Sequence, residues 1–234
     1  MNVSPDTMSI LNVGHVTLNA TLVFTWLIMF LLTVGAWLAT RNLTRSAREV
    51  TRWQSFLEIL VRGIQNQIEQ ISHQNAGPFL PFVGTLFIFI ATANVLSIVP
   101  GYVPPTSSLS TTTALAIGVF IAVPAYGVWK RGLLGYLKVY LQPTWFMLPF
   151  NVIGELSRTL ALAVRLYGNV MSGTIIAAIL LTLVPFIFPV VMQLLGLLTG
   201  MIQAYIFAVL ATVYIASAAA PPPSSERNTN GIKE

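Results

Sequence analysis

Residues 143–184 read PTWFMLPFNVIGELSRTLALAVRLYGNVMSGTIIAAILLTLV, and the only strong helix breaker inside this stretch is Pro149. This predicts a helix of some thirty-five residues, ~50 Å long at a rise of ~1.5 Å per residue. A bilayer's hydrocarbon core is only ~30 Å thick, so such a helix cannot stand upright and must lie strongly tilted or run partly along the membrane. Pro185 and Pro189 then interrupt the chain, because a proline lacks the N–H that a continuing helix donates. The apolar run 190–217 beyond them is predicted to fold back as a second helix of ~40 Å. Together they read as a long, steeply tilted antiparallel hairpin. Helices lying nearly flat in a membrane suit a wall that tracks the curved surface of another protein.

The rest of the chain has a matching composition. Of its 234 residues 55% are hydrophobic and 8% charged, against ~25% charged in soluble domains. Residues 7–40, 70–129 and 166–225 contain no Asp, Glu, Lys or Arg. The first stretch supplies a span at about 20–40. The second is broken by Pro100-Gly101 and Pro104-Pro105 into spans at about 78–99 and 111–129. The hairpin adds 144–184 and 190–217. The fold class is therefore all-α: a single membrane domain, 1–217, with five membrane helices plus an amphipathic helix at the cytoplasmic surface. A polar tail, 218–234, opens on Pro221-Pro222-Pro223 and is expected to be disordered. Asp6 is the only charge before Arg41, so the first apolar segment lacks the basic flank of a cleaved signal peptide and is expected to stay.

Orientation comes from the basic residues. Arg41, Arg45, Arg48, Arg52 and Arg62 come after span one, Lys130, Arg131 and Lys138 after span three, and Arg227 and Lys233 lie in the tail; the opposite segments hold none. Ten of the twelve basic residues thus place the N-terminus outside and the C-terminus in the cytoplasm of a multi-pass protein of the cell membrane. Arg158 and Arg165 are the exceptions. Between spans one and two, Val50, Trp53, Leu57, Leu60, Val61, Ile64, Ile68 and Ile71 recur at helical spacing, with charged and amide residues on the other faces. This predicts the amphipathic helix, about 44–74, either lying on the membrane surface or packing against a partner subunit.

Several functions are excluded. The net charge of +5 comes from few, scattered basic residues, which does not suit nucleic-acid binding. With no cysteine and only two histidines, His15 and His73, placed far apart, neither a metal site nor a thiol chemistry is expected. Both histidines read as surface residues. No cofactor motif is present.

Arg165 carries the strongest signal. It sits in Leu162-Ala-Val-Arg-Leu-Tyr-Gly-Asn169, with no charge for sixty positions beyond it. An arginine held deep in a membrane costs between ~2.5 and ~17 kcal/mol according to how much water reaches it, so a functional reading outweighs snorkelling. At helical spacing Arg158, Arg165, Asn169 and Ser172 share one stripe, with Gly173 beside them. Arg158 lies three residues after Glu155, and an ion pair or snorkelling accounts for it. On the second helix Gln203 either hydrogen-bonds a neighbour or lines an ion path, and Gly196 and Gly200 are spaced to admit another helix closely. Asn94 and the run Thr106–Thr113 either line water or, for Thr106–Ser110, cap span three, which is the more economical reading.

These residues are similar to a known pattern. Leu162-Ala-Val-Arg165-Leu-Tyr-Gly-Asn169-Val-Met-Ser-Gly173, with Gly196-Leu-Leu-Thr-Gly-Met-Ile-Gln203-Ala-Tyr after it, resembles the signature hairpin of subunit a of F-type ATP synthases. Asn94-Val-Leu-Ser-Ile-Val-Pro100-Gly and Pro104-Pro-Thr106 extend the resemblance to roughly residues 20–217. It implies a non-catalytic, ion-translocating membrane stator of ATP synthesis, built against a ring of c subunits, joined to peripheral-stalk b subunits and embedded in lipid. Arg165 would face the ring's ion-binding carboxylate between two offset half-channels, with Gln203 opposite it and Asn169 one turn away. The chain departs from the pattern where acidic residues are usual. Thr174, Ser217 and Ser107 or Ser108 stand in their places, so hydroxyls and water would carry a proton path, or Na⁺ would be the coupling ion. Two rival classes remain from the residues alone. A secondary transporter should show paired half-repeats, which are not seen, and a purely structural anchor would have no need for Arg165.

Overall fold

The computed structural model describes residues 9–13, 16–41, 52–99, 102–141, 146–183 and 188–219. Their six α-helices are α1 Ala20–Thr40, α2 Arg52–Ser72, α3 Leu80–Val95, α4 Leu109–Leu141, α5 Met147–Leu183 and α6 Phe188–Ala219. All but α2 are long and apolar enough to cross a membrane, as an all-α membrane protein requires. A small antiparallel hairpin of β1 Ser9–Val13 and β2 Val16–Asn19 precedes α1, an addition to the expected plan. Its signal is the two-residue alternation of Val16-Thr-Leu-Asn19, too short to stand out beside the long apolar run next to it.

Within α1 the polar side chains are satisfied locally. Thr25 and Thr33 return their hydroxyls to the carbonyls of Thr21 and Met29, each at 2.7 Å, which leaves neither hydroxyl as a bare donor toward lipid. The apolar face of α2 does not wait for a partner subunit. Ile64, Ile68 and Ile71 turn toward Val83 and Phe87 of α3 and Ala208 of α6, while Glu58 and Arg62 pair on the exposed side. The expected start of this helix near residue 44 lies outside the described residues. It ends at Ser72, where His73 takes a φ of 50° and the Asn75 side chain accepts from the Gly77 N–H. His73 is exposed, as a surface residue should be.

Two boundaries differ from the hydropathy reading. Helix α3 stops at Val95 and passes through a 3₁₀ turn, Leu96–Ile98, instead of running to 99. Helix α4 begins after Ser108, which stands at the N-cap position with extended backbone, and continues past 129 to a kink at Gly132, beyond which a second helical stretch reaches Leu141. Lys130 and Arg131 end the apolar run without ending the helix. The interruption falls at Gly132, whose φ of 74° and ψ of 162° suit a residue without a Cβ. Past it the chain returns so that the Tyr136 ring lies on Gly127, where a Cβ would come 2.5 Å from the ring.

The hairpin of α5 and α6 is the largest feature. With 37 and 32 residues the helices measure ~55 Å and ~48 Å, and both must tilt to stay within the core. Pro189 stands in the first turn of α6, where a missing N–H breaks no bond. Ala218 and Ala219, expected in the tail, close α6; the residues after them lie outside the described ones. The core is packed largely by small residues, with Ala93, Ala204 and Ala211 fully buried around Ile90, Leu162, Leu166 and Phe207. Small side chains let helices approach where lipid removes any hydrophobic drive between them. Trp26, Phe30, Ile121 and Trp129 face outward.

Candidate functional site

Near the middle of the hairpin, Asn169 Nδ2 donates to Gln203 Oε1 at 2.6 Å. Gln203 is 1% exposed, and its own Nε2 has no hydrogen-bond partner among the described residues. A buried donor left unmet costs ~1–3 kcal/mol, so this amide is held by the packing around it. Arg165 lies one turn before Asn169. Its neighbours Leu162 and Leu166 point into the core, whereas Arg165 projects from the exposed face of α5. Among the described residues its guanidinium has no ion pair or hydrogen bond. An apolar outer wall cannot hold such a charge unless water or an opposite charge meets it there.

Two cavities flank this point at opposite ends of α5. The first, of about 330 Å³, lies between the end of α3, the loop at 102–104 and the facing parts of α5 and α6. Its polar wall comprises Asn94, Ser97, Tyr102, Asn169, Thr174, Gln193 and Thr199. Asn94 is its keystone: Nδ2 donates to the Gly200 carbonyl at 2.8 Å, and Oδ1 accepts from Thr106 Oγ1 at 3.4 Å. A Cβ at Gly200 would come 2.9 Å from Asn94 Cγ, so the close approach depends on that glycine. Gly196 plays a different part from the one its spacing suggested. A Cβ there would meet nothing within 4 Å, and the residue opens the cavity instead of admitting a helix. Gln193 Nε2 donates to the carbonyls of Ser97 and Ile98, at 3.1 and 3.2 Å, which ties the start of α6 to the end of α3.

The second cavity, of about 370 Å³, is walled by Asn151, Glu155, Arg158 and Thr159 of α5, Tyr136 of α4, and Tyr214 and Ser217 of α6. The expectation for Arg158 is an ion pair with Glu155 or snorkelling, but the side chain reaches across to α6. Its guanidinium lies 5.7 Å from the centroid of the Tyr214 ring, because the packing of α6 on α5 presents that ring's face. Glu155 brings a carboxylate to this wall, so a titratable group is present where the departures from the family pattern suggested hydroxyls alone.

The hydroxyls expected in an ion path have different fates. Thr174 lines the first cavity and donates to the Met171 carbonyl at 2.8 Å. Ser217 lines the second and donates to Tyr214 O at 2.8 Å. Ser107 and Ser108 line neither. They are 2% and 0% exposed, with Ser107 Oγ on the Pro104 carbonyl and Ser108 Oγ on Ser110 Oγ, both at 2.7 Å. Ser108 stands at the N-cap position of α4 with its hydroxyl on that of Ser110, while Thr106 braces Asn94. Tyr102, Asn151 and Tyr214 are wall residues the sequence did not single out; only the proximity of Tyr102 to the Asn94 segment and the Pro-rich loop could have pointed to it. Among the described residues no cluster of ligating side chains could hold a metal ion.

Fold and site together define a multi-pass, all-α membrane subunit whose longest helix holds an arginine with no partner among the described residues, between two cavities walled in part by polar side chains. Residues 22–216 match the family described as ATP synthase A chain, and the chain belongs to that family. It is 61% identical over 218 residues to "ATP synthase subunit a 2" of Acaryochloris marina (strain MBIC 11017), with 93% of each chain covered. Over 219 residues it is 61% identical to "ATP synthase subunit a 2" of Picosynechococcus sp. (strain ATCC 27264 / PCC 7002 / PR-6), with 94% of each covered. It is also 57% identical to "ATP synthase subunit a" of Albidiferax ferrireducens (strain ATCC BAA-621 / DSM 15236 / T118) over 218 residues, covering 93% of this chain and 94% of the relative. The chain is a membrane stator component of an F-type ATP synthase, which sets aside the secondary-transporter reading.

Proposed function

We propose that Arg165 is the fixed charge past which the complex moves its coupling ion, that the two cavities are the half-paths from opposite sides of the membrane, and that a ring of c subunits closes the exposed faces of α5 and α6. The observation that carries this is positional. One cavity takes its α5 wall from residues 169–178 and the other from 150–159, and Arg165 lies between them and lines neither. A guanidinium beside a ring carboxylate favours its ionised form and so the release of a bound ion into the adjoining half-path. The same charge repels a free cation that would cross directly between the cavities. The Asn169–Gln203 pair adds a neutral polar contact one turn away. In this reading the chain takes no part in ATP bond chemistry, lies in the cell membrane with its N-terminus outside, and meets peripheral-stalk b subunits as well as the ring.

Arg165→Ala in the whole complex, reconstituted in vesicles, should abolish ion-driven ATP synthesis while assembly persists. Arg165→Lys should rescue poorly, since an ammonium lacks the planar fork. Synthesis at the wild-type rate in Arg165→Ala vesicles would overturn the reading.

A second reading concerns the ion. The first cavity's wall holds no carboxylate or imidazole among the described residues, and its polar atoms are amide, hydroxyl and carbonyl oxygens of the kind that ligate Na⁺. If Na⁺ is carried, it should stimulate ATP hydrolysis by the complex and slow carbodiimide modification of the ring, and Thr174→Val should weaken the stimulation. Strong ATP-driven acidification in Na⁺-free buffer, unchanged by added Na⁺, would identify the proton instead.

A further inference from the structure

The first cavity contains one polar side chain that makes no hydrogen bond among the described residues. Its other polar side chains each make at least one bond within the chain. Asn94 bonds Gly200 O, Ser97 bonds Asn94 O, Thr174 bonds Met171 O, Thr199 bonds Leu195 O, and the amides of Asn169 and Gln193 are likewise bound. Tyr102 differs: its hydroxyl is buried and has no hydrogen-bond partner among the described residues. Its ring is fixed from the other side by Phe24 of α1, in an edge contact with centroids 5.0 Å apart. Tyr102 is a wall residue of this cavity, and buried polar groups are almost always paired, so its orphaned hydroxyl calls for a partner from outside the described residues.

We propose that Tyr102 is an ion-path residue of the first cavity, its hydroxyl holding the entering cation or the water that accompanies it at the loop end, ahead of Thr174 and Asn169. This deepens the half-path reading and rests on it. A hydroxyl whose proton is given to a backbone carbonyl keeps its lone pairs, so Ser97, Thr174 and Thr199 turn acceptor oxygens to the cavity. That suits Na⁺ or a protonated water. Tyr102 supplies the remaining function, an oxygen that can either accept or donate as the occupant changes. Burial pushes its phenol up from the ordinary tyrosine range, so it stays neutral and acts as a ligand instead of a titrating relay. Tyr102 lies between the end of α3 and the start of α4, and Arg165 does not line the cavity that it borders.

Tyr102→Phe keeps the ring and its contact with Phe24 while removing the oxygen. In vesicles carrying the whole complex, synthesis is measured at fixed membrane potential against the ion concentration on the loop side, once with Na⁺ varied at constant pH and once with pH varied without Na⁺. The arm that drives the wild type identifies the source. In that arm Tyr102→Phe should raise the half-saturating concentration about three- to tenfold, with little change in maximal rate. Tyr102→His, which restores a polar ring, should return it toward wild type. An unchanged half-saturating concentration in Tyr102→Phe overturns the proposal. So does a His variant no better than the Phe variant, or loss of assembly in Tyr102→Phe, since either result assigns the residue to packing. Arg165→Ala is run alongside: full synthesis there defeats the half-path reading itself, whereas its loss together with an unaltered Tyr102→Phe defeats only the role given to the tyrosine.

Discussion

Asn94 and Gly200 show how closely one residue can depend on another. The amide of Asn94 reaches the Gly200 carbonyl only because no Cβ stands between α3 and α6. Gly200→Ala would force one helix to move, at a cost of ~1–3 kcal/mol typical of overpacking. The variant complex should therefore lose thermal stability, and Asn94→Ala should restore part of it in the double variant, because neighbouring substitutions couple. Equal, additive losses would show that the two residues do not meet. This contact was only partly legible in the sequence. A Gly196–Gly200 spacing announces a close approach but not which glycine makes it, since that depends on the rotation of α6 against α3. Arg165, Asn169 and Gln203 were easier to find because a polar side chain in a long apolar run is conspicuous wherever it points. The roles of Ser107 and Ser108 were not legible, since serines in a loop look alike whether they line water or bond their own backbone.

At the scale of elements, hydropathy located the spans but not all their ends. An apolar run stops where the bilayer stops, whereas a helix stops where the backbone can no longer continue, and in α4 these points differ. Lys130 reaches the side chain of Gln74 at 2.6 Å and lies over the Phe79 ring, so a charge at the interface finds partners without unwinding its helix. The break waits for Gly132. Its backbone angles fall in a region populated almost only by glycine, and a Cβ-bearing residue forced into them costs ~1–3 kcal/mol. Gly132→Ala should lower the unfolding temperature of the complex. It should also shift Tyr136, which rests on Gly127 and lines the second cavity, so coupled synthesis should fall more than uncoupled hydrolysis does. A variant matching the wild type in both measurements would show that the turn after α4 tolerates ordinary residues. The length of α5 and α6, by contrast, could be read in advance, because few strong breakers interrupt either run.

Across the whole molecule, cross-links sort the helix ends into two groups. Tyr102 meets Phe24 near the start of α1, and Gln193 at the start of α6 bonds the end of α3. At the other end, Lys130 of α4 bonds Gln74, which reaches the Ala216 carbonyl near the close of α6 at 3.4 Å. The second group also holds α2, with Arg62, and the cavity that contains Glu155 and Arg158. Among the described residues Arg62, Lys130 and Arg158 therefore gather at one end, and by the distribution of basic residues along the chain that end should face the cytoplasm. The chain contains no cysteine, so single replacements report position without background. Ser107 would be a poor probe because it is buried, but Ser110 in the first turn of α4 and Asn66 on α2 are exposed. A membrane-impermeant thiol reagent added to intact cells should label Ser110→Cys and spare Asn66→Cys, and inverted vesicles should reverse the pattern. Labelling of Asn66→Cys from outside, or of both from one side, would require the opposite orientation. The Tyr102 cavity would then open to the cytoplasm, and the entry and exit roles of the two half-paths would be exchanged.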